Sequence, residues 1–188
     1  MDANAVAVVS AVLGVPPRLG EVRLLAIDGP SGAGKSILAA SVVSDLRARG
    51  ISTVLISTDD FATWEDPVSW WPRLVNGVLE PLQEGRPGWY RPMDWTSGSP
   101  RLGRAVTVEV PQVLVLEGVS SGRTSVRPSL SYLCWVDGPD APTRLERAVA
   151  RDGEASRRPL SLWQAFERGW FEVDRTRQYA ASNGQLLP

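Results

Sequence analysis

The residues best suited to chemistry lie in one short run, Gly29-Pro30-Ser31-Gly32-Ala33-Gly34-Lys35-Ser36. The spacing Gly-x-x-x-x-Gly-Lys-Ser is that of a phosphate-binding loop. Its glycines let backbone N–H groups turn inward around phosphate oxygens. The lysine reaches the β- and γ-phosphates as a compact point charge, and the serine hydroxyl ligates Mg²⁺. Lys35 is the only lysine of the chain; the other 19 of its 20 basic residues are arginine. The wide planar fork of arginine fits a narrow ring of amides badly. The pattern predicts ATP and Mg²⁺ as ligands, with Gly29, Ser31, Gly32, Ala33, Gly34, Lys35, Ser36 and Ile37 around the phosphates.

The chain has no histidine, which excludes a Ser-His-Asp triad and His-ligated zinc. A general base must then be a carboxylate or come from the substrate. Asp59 and Asp60 follow one apolar run, Glu117 ends a second and Asp137 a third. Each carboxylate alone reads equally as a helix cap or turn residue. Asp137 is read that way; Asp59 and Glu117 are read as functional. Phosphoryl transfer to an alcohol needs a carboxylate near the acceptor hydroxyl, another on the Mg²⁺ side and positive charge around the transferred group. Glu117 suits the Mg²⁺ side, in a kinase or an ATP hydrolase alike.

Arg144, Arg147 and Arg151 share a helix face by their spacing. They read either as a lid that closes over phosphates or as a solvated face neutralised by Glu146 and Asp152. Five of the eight tryptophans fall between Trp64 and Trp95. Packing accounts for most of them; Trp95, beside Tyr90, Arg91 and Asp94, is kept as a surface for stacking a flat base.

The elements that must position these residues alternate. Strands are predicted at 22–28, 51–57, 113–117 and 131–137, the last two nearly continuously apolar, as buried parallel strands are. Helices are predicted at 2–13, 36–49, 67–84 (broken by Pro72 and Pro81), 141–151 and 160–175. Residues 86–103 read as an elaborate loop, and Val106–Val110 as a short edge strand. Such alternation implies a mainly parallel sheet with helices on both faces. Ligands of such sheets bind beyond the carboxyl ends of the strands. The phosphate loop, Asp59 and Glu117 all fall there.

At 188 residues, with 43% hydrophobic and 22% charged residues, one soluble globular domain is expected. The net charge of −1 gives no reason to expect nucleic acid or a membrane surface as partner. No apolar run is long enough to span a bilayer, and no basic leader opens the chain. Cys134, alone in an apolar run, reads as a buried inert thiol. The cytoplasm is the expected compartment.

Taken together the motifs resemble the uridine kinase family, within the P-loop kinase group that includes pantothenate kinase and phosphoribulokinase. The resemblance covers roughly residues 22–180. Ser57-Thr58-Asp59-Asp60-Phe61 is similar to its acidic motif, whose first Asp is the catalytic base; that implies the role for Asp59. Glu65-Asp66-Pro67 resembles an element whose acidic residue contacts sugar hydroxyls. Tyr90 through Arg101, with Asp94-Trp95, resembles a Tyr-Asp-Phe segment followed by an arginine. Val115-Leu116-Glu117-Gly118 resembles its strand ending in Glu-Gly. Arg144 to Asp152 resembles its lid, which implies phosphate contacts for Arg147 and Arg151. The family's acceptor histidines are missing, Arg101 lies one residue further from Asp94 than in the family, and the residues after Tyr179-Ala180 depart from its final β-branched strand.

The resemblance implies a three-layer P-loop fold over residues 1–188. It would carry an N-terminal helical extension at 1–20, an acceptor-binding insert at 61–104 and a helical lid at 144–160. It further implies an ATP-dependent kinase of a small alcohol, with a nucleoside as the leading acceptor. Asp60, Asp66, Tyr90, Asp94, Trp95 and Arg101 are expected in the acceptor pocket, and Ser36 and Glu117 at Mg²⁺. Another sugar or pantothenate-like alcohol, a nucleoside monophosphate (met by Arg73, Arg86, Arg91 or Arg101), and a nucleotide-binding ATPase remain as alternatives.

Overall fold

The protein's computed structural model describes residues 2–95 and 100–187. The chain runs through α1 (Ala3–Leu13), β1 (Arg23–Asp28), α2 (Lys35–Ala48), β2 (Thr53–Ser57) and a 3₁₀ turn at Thr58–Asp60. Then come α3 (Trp71–Leu74), α4 (Glu80–Gln83) and four short strands: β3 (Gly88–Tyr90), β4 (Met93–Asp94), β5 (Arg101–Leu102) and β6 (Val106–Val108). The chain returns through β7 (Val113–Glu117), β8 (Leu130–Val136), α5 (Ala141–Asp152), α6 (Arg157–Asp174), α7 (Thr176–Ser182) and β9 (Leu186–Leu187).

The central sheet has the order β2-β7-β1-β8-β9 with every pairing parallel. Alternation along its strands divides the interior in two. Leu24 and Ala26 of β1, with Leu114, Leu116, Leu133 and Trp135, pack against Phe61, Trp70, Leu74, Val78 and Leu82. Leu25 and Ile27 point the other way, with Val113, Val115, Cys134 and Val136, onto Val8, Val9 and Val12 of α1 and Leu38, Val42 and Leu46 of α2. Both faces are covered, so the middle residues of β1, β7 and β8 are apolar and buried whichever way they point. Each fully buried Leu, Ile or Val here contributes about 1.5–3 kcal/mol. Burial pushes the Cys134 thiol up to about 12, as expected of an inert core residue.

The segment predicted as a broken helix over 67–84 starts later, at Trp71. Pro72 and Pro81 each sit in the first turn of a short helix, where the missing N–H costs little. A wide π turn, Val75–Leu79, joins the two pieces. The stretch expected as a loop at 86–103 contains strands. β3 lies so close to the π turn that a Cβ on Gly77 would fall 2.6 Å from the Trp89 carbonyl oxygen. β4 and β5 form a hairpin, whose connecting residues Thr96–Ser99 lie outside the described residues. The expected edge strand at 106–110 ends at Val108 and pairs antiparallel with β3, separate from the central sheet. Its alternation marked a strand; it carried no information on the partner. The last helical stretch begins at Arg157 and breaks at Arg175, which adopts a left-handed φ of 55°, before α7. The final strand, left open by the sequence, is β9, which pairs Leu186 with Trp135. Among the described residues no helix is long and apolar enough to cross a membrane.

Candidate active site

β1 is the middle strand, and its last residue anchors the loop behind it. Asp28 is fully buried and accepts N–H bonds from Gly29 (2.7 Å), Ser120 (3.2 Å) and Gly122 (2.8 Å). One carboxylate thereby ties the segment after β1 to the segment after β7. Burial pushes its carboxyl up to about 7, opposed by those amides and by the Lys35 charge.

The phosphate loop then crosses against two other segments. Gly29 has φ 146°, and a Cβ there would stand 2.2 Å from the Val136 carbonyl oxygen. Gly32 has φ 77°, and its Cβ would stand 2.7 Å from the Arg144 carbonyl oxygen. Both positions require glycine for conformation and for space. Gly34, with φ 101°, turns the chain into α2, whose unpaired first-turn amides open on the cleft. Lys35 is only 7% exposed, and its Nζ donates to the Pro30 carbonyl at 3.0 Å.

Three side chains meet beside the lysine. Ser36 Oγ lies 3.3 Å from both Glu117 oxygens. Ser57 Oγ donates to Glu117 Oε1 at 2.8 Å and accepts the Asp59 N–H at 3.2 Å. Burial raises the Glu117 pKa, while the Ser57 hydrogen bond and the Lys35 charge oppose the rise. Mg²⁺ takes oxygen donors, keeps several waters and is commonly shared with substrate phosphates. The Ser36 hydroxyl and the Glu117 carboxylate fit such an ion. Among the described residues no cluster of three or more acidic, His or Cys side chains offers a fuller cage.

These groups line a cleft of about 780 Å³. Lys35, Ser36, Asp59 and Glu117 border it from the sheet side, and Arg147 and Arg151 from α5. Its remaining wall is aromatic. Trp64 meets Trp95 edge-on at 5.6 Å and Trp163 of α6 edge-on at 6.1 Å, and all three line the cleft. Arg151 also pairs with Asp152 at 2.6 Å. Arg144, expected on the same face, turns to the loop instead: its Nε donates to Ser31 O at 3.1 Å and its Nη1 to Pro139 O at 2.7 Å.

Other residues expected in the acceptor pocket lie elsewhere. Asp60 accepts the Tyr90 hydroxyl at 2.7 Å, and Tyr90 is buried against Phe61 with ring centroids 4.9 Å apart. Burial raises the pKa of both partners. Asp66 closes a turn, accepting the Ser69 N–H at 2.7 Å. Asp94 and Arg101 face each other across the β4–β5 hairpin. None of these five borders the cleft; Trp95 does. Arg73 donates to the Phe61 and Arg91 carbonyls, Arg91 to those of Leu102 and Gly103, and Arg86 pairs with Glu84.

Sequence reading missed three contributors. Asp28 was visible as a carboxylate ending an apolar strand directly before the loop. Trp163 was hidden in a helical pattern. Glu167 of α6 accepts the Ser31 N–H at 2.9 Å across 136 residues, a contact with no local signal.

No family model matches the chain, and no curated protein matches it by sequence. Solved structures do match in shape. A protein described as a possible uridine kinase from Bacillus stearothermophilus aligns with TM-score 0.68 at 19% identity, over 93% of this chain and 94% of that one. A candidate fructose transport system kinase from Silicibacter sp. TM1040 aligns with TM-score 0.64 at 17% identity, over 100% and 97%. With its five parallel strands and its phosphate loop after the middle one, this chain has the fold of the P-loop kinases.

Proposed function

We propose that this protein transfers the γ-phosphoryl group of ATP to a hydroxyl of a small molecule, with a nucleoside as acceptor. One observation carries the reading: the loop lysine, Asp59, two arginines and a wall of three tryptophans border a single cleft. The phosphate chain lies on the loop amides and Lys35. A flat base stacks against Trp64, Trp95 or Trp163, which leaves the sugar hydroxyl on the Asp59 side. Asp59 accepts the hydroxyl proton as the oxygen attacks the γ-phosphorus. The bond from phosphorus to the bridging oxygen breaks, and ADP carries the electron pair away. Lys35, Arg147 and Arg151 stabilise the charge on the transferred group. Ser36 and Glu117 would hold Mg²⁺, which would supply charge neutralisation to the phosphates.

A hydrolase would share the loop and Glu117 and would need neither Asp59 nor the aromatic wall. The nucleoside monophosphate alternative loses support because Arg73, Arg86 and Arg91 are engaged elsewhere and Arg101 lies off the cleft. The test is ATP turnover with and without a panel of nucleosides and sugars, for wild type and Asp59→Asn. Nucleoside-stimulated turnover that falls at least about 100-fold in the variant is expected. Turnover independent of any acceptor and unaffected by Asp59→Asn would sink the kinase reading.

A further inference from the structure

Ser31 is gripped at both ends of its backbone by side chains from two helices. Glu167 of α6 accepts its N–H at 2.9 Å, and Arg144 of α5 donates to its C=O at 3.1 Å. Neither grip is a surface accident. Glu167 is 1% exposed, and its second oxygen, Oε1, is buried with no hydrogen-bond partner among the described residues. Arg144 is fixed from its other side by the Pro139 carbonyl, and its main chain abuts the Cα of Gly32. α5 and α6 also touch at Gln164, one turn before Glu167, whose side chain reaches the Ala141 carbonyl.

Peptide planarity turns these two bonds into control of the neighbouring peptides. In a trans peptide the C=O and the following N–H point in opposite directions. Holding the Ser31 N–H toward Glu167 therefore aims the Pro30 C=O the opposite way, and that carbonyl receives Lys35 Nζ. Holding the Ser31 C=O toward Arg144 aims the Gly32 N–H away from the guanidinium, and Gly32 lines the cleft. The two side chains thus set the lysine's resting partner and the direction of a loop amide. A buried carboxylate next to a phosphate site carries an electrostatic penalty against phosphate. Orienting the loop is a role that offsets this penalty.

We propose that Glu167 and Arg144 are positioning residues that clamp Ser31 and hold the phosphate loop in its binding shape, so that α5, which carries Arg147 and Arg151, and its neighbour α6 are joined to the loop. This rests on the reading of the cleft as a nucleotide site. The probe is ADP–Mg²⁺, titrated calorimetrically against the full chain at fixed pH. Glu167→Ala is expected to weaken binding about tenfold or more, since it frees a half-buried amide to turn away. Glu167→Gln, whose Oε1 still accepts from Ser31, is expected to stay within about threefold of wild type. Arg144→Met is expected to weaken binding by a similar factor, and the double variant to lose less than the product of the two, because both act through one residue. The acceptor's KM stays unchanged throughout, which a general loss of packing would not achieve.

Glu167→Ala binding within twofold of wild type, with only a lowered Tm, overturns the clamp. So does Glu167→Gln if it is as damaged as Ala. Should Glu167→Ala fail to fold by circular dichroism, Arg144→Met binding within twofold of wild type overturns it instead. Wild-type protein that binds no ADP–Mg²⁺ overturns the nucleotide site itself, and the clamp falls with it.

Discussion

Ser57 Oγ stands 2.8 Å from Glu117 Oε1 and simultaneously accepts the N–H of Asp59, so one hydroxyl links the Glu117 carboxylate to the turn that carries Asp59. β2 and β7 are neighbours in the sheet, with Ser57 directly opposite Glu117, and that register creates the link. Ser57→Ala removes a hydrogen bond to a charged group, worth about 1.5–3 kcal/mol. We expect kcat/KM to fall roughly 10- to 100-fold with little change in Tm. Steady-state kinetics beside thermal unfolding decides it, and wild-type kinetics in the variant would remove Ser57 from the site.

Lys35 is nearly enclosed, with its ammonium already hydrogen-bonded inside the loop. A guanidinium is a wide planar fork and suits this position badly. Lys35→Arg is therefore expected to lose nucleotide affinity almost as far as Lys35→Ala, about 100-fold in each case. Calorimetry with ADP–Mg²⁺ measures both. An arginine variant that binds as wild type does would show that charge alone matters at this position.

Asp28 makes stability depend on pH with an unusual sign. The folded carboxyl holds its proton up to about pH 7, whereas the unfolded chain releases it near 3.8. Between those values the native state binds the extra proton, so the free energy of unfolding falls as pH rises, and it levels off above the window. The upper bound is about 4 kcal/mol, from about 1.4 kcal/mol for each pH unit of the window. Urea unfolding at pH 5 and pH 7.5 tests this. Wild type should lose stability over that interval, and Asp28→Asn should lose less; equal slopes would refute the assignment.

The aromatic wall offers a test that distinguishes acceptor binding from nucleotide binding. Trp163→Ala removes one ring of the trio, which lies on the aromatic side of the cleft. Stacking on a base is worth about 1–3 kcal/mol, so the acceptor KM is expected to rise about 5- to 150-fold while the KM for ATP stays level. A rise in both constants, or in neither, would count against a stacked acceptor.

The legible parts of this molecule were those encoded locally. Leu24 to Ile27 and Val113 to Leu116 announced buried strands, and the glycine spacing around Lys35 announced the loop between strand and helix. The position of Asp59 and Glu117 at one sheet edge came from topology alone. What escaped was set by pairings distant in sequence. Nothing near Asp60 signals that Tyr90, thirty residues on, will take its carboxylate away from the cleft. Nothing near Val106 signals that β3 will be its partner. Arg144 shares its helical spacing with Arg147, yet the close approach of Gly32 draws it to the loop.

The solitary lysine has an analytical consequence. Lys35 is the one side-chain amine in the sequence, and it is set inside the loop at the start of α2. Any amine-selective acylating reagent therefore has a single internal target, and that target sits where a bound triphosphate would shield it. Mass-spectrometric footprinting thus reads protection at this one position, with no engineered label and no background from a lysine-rich surface.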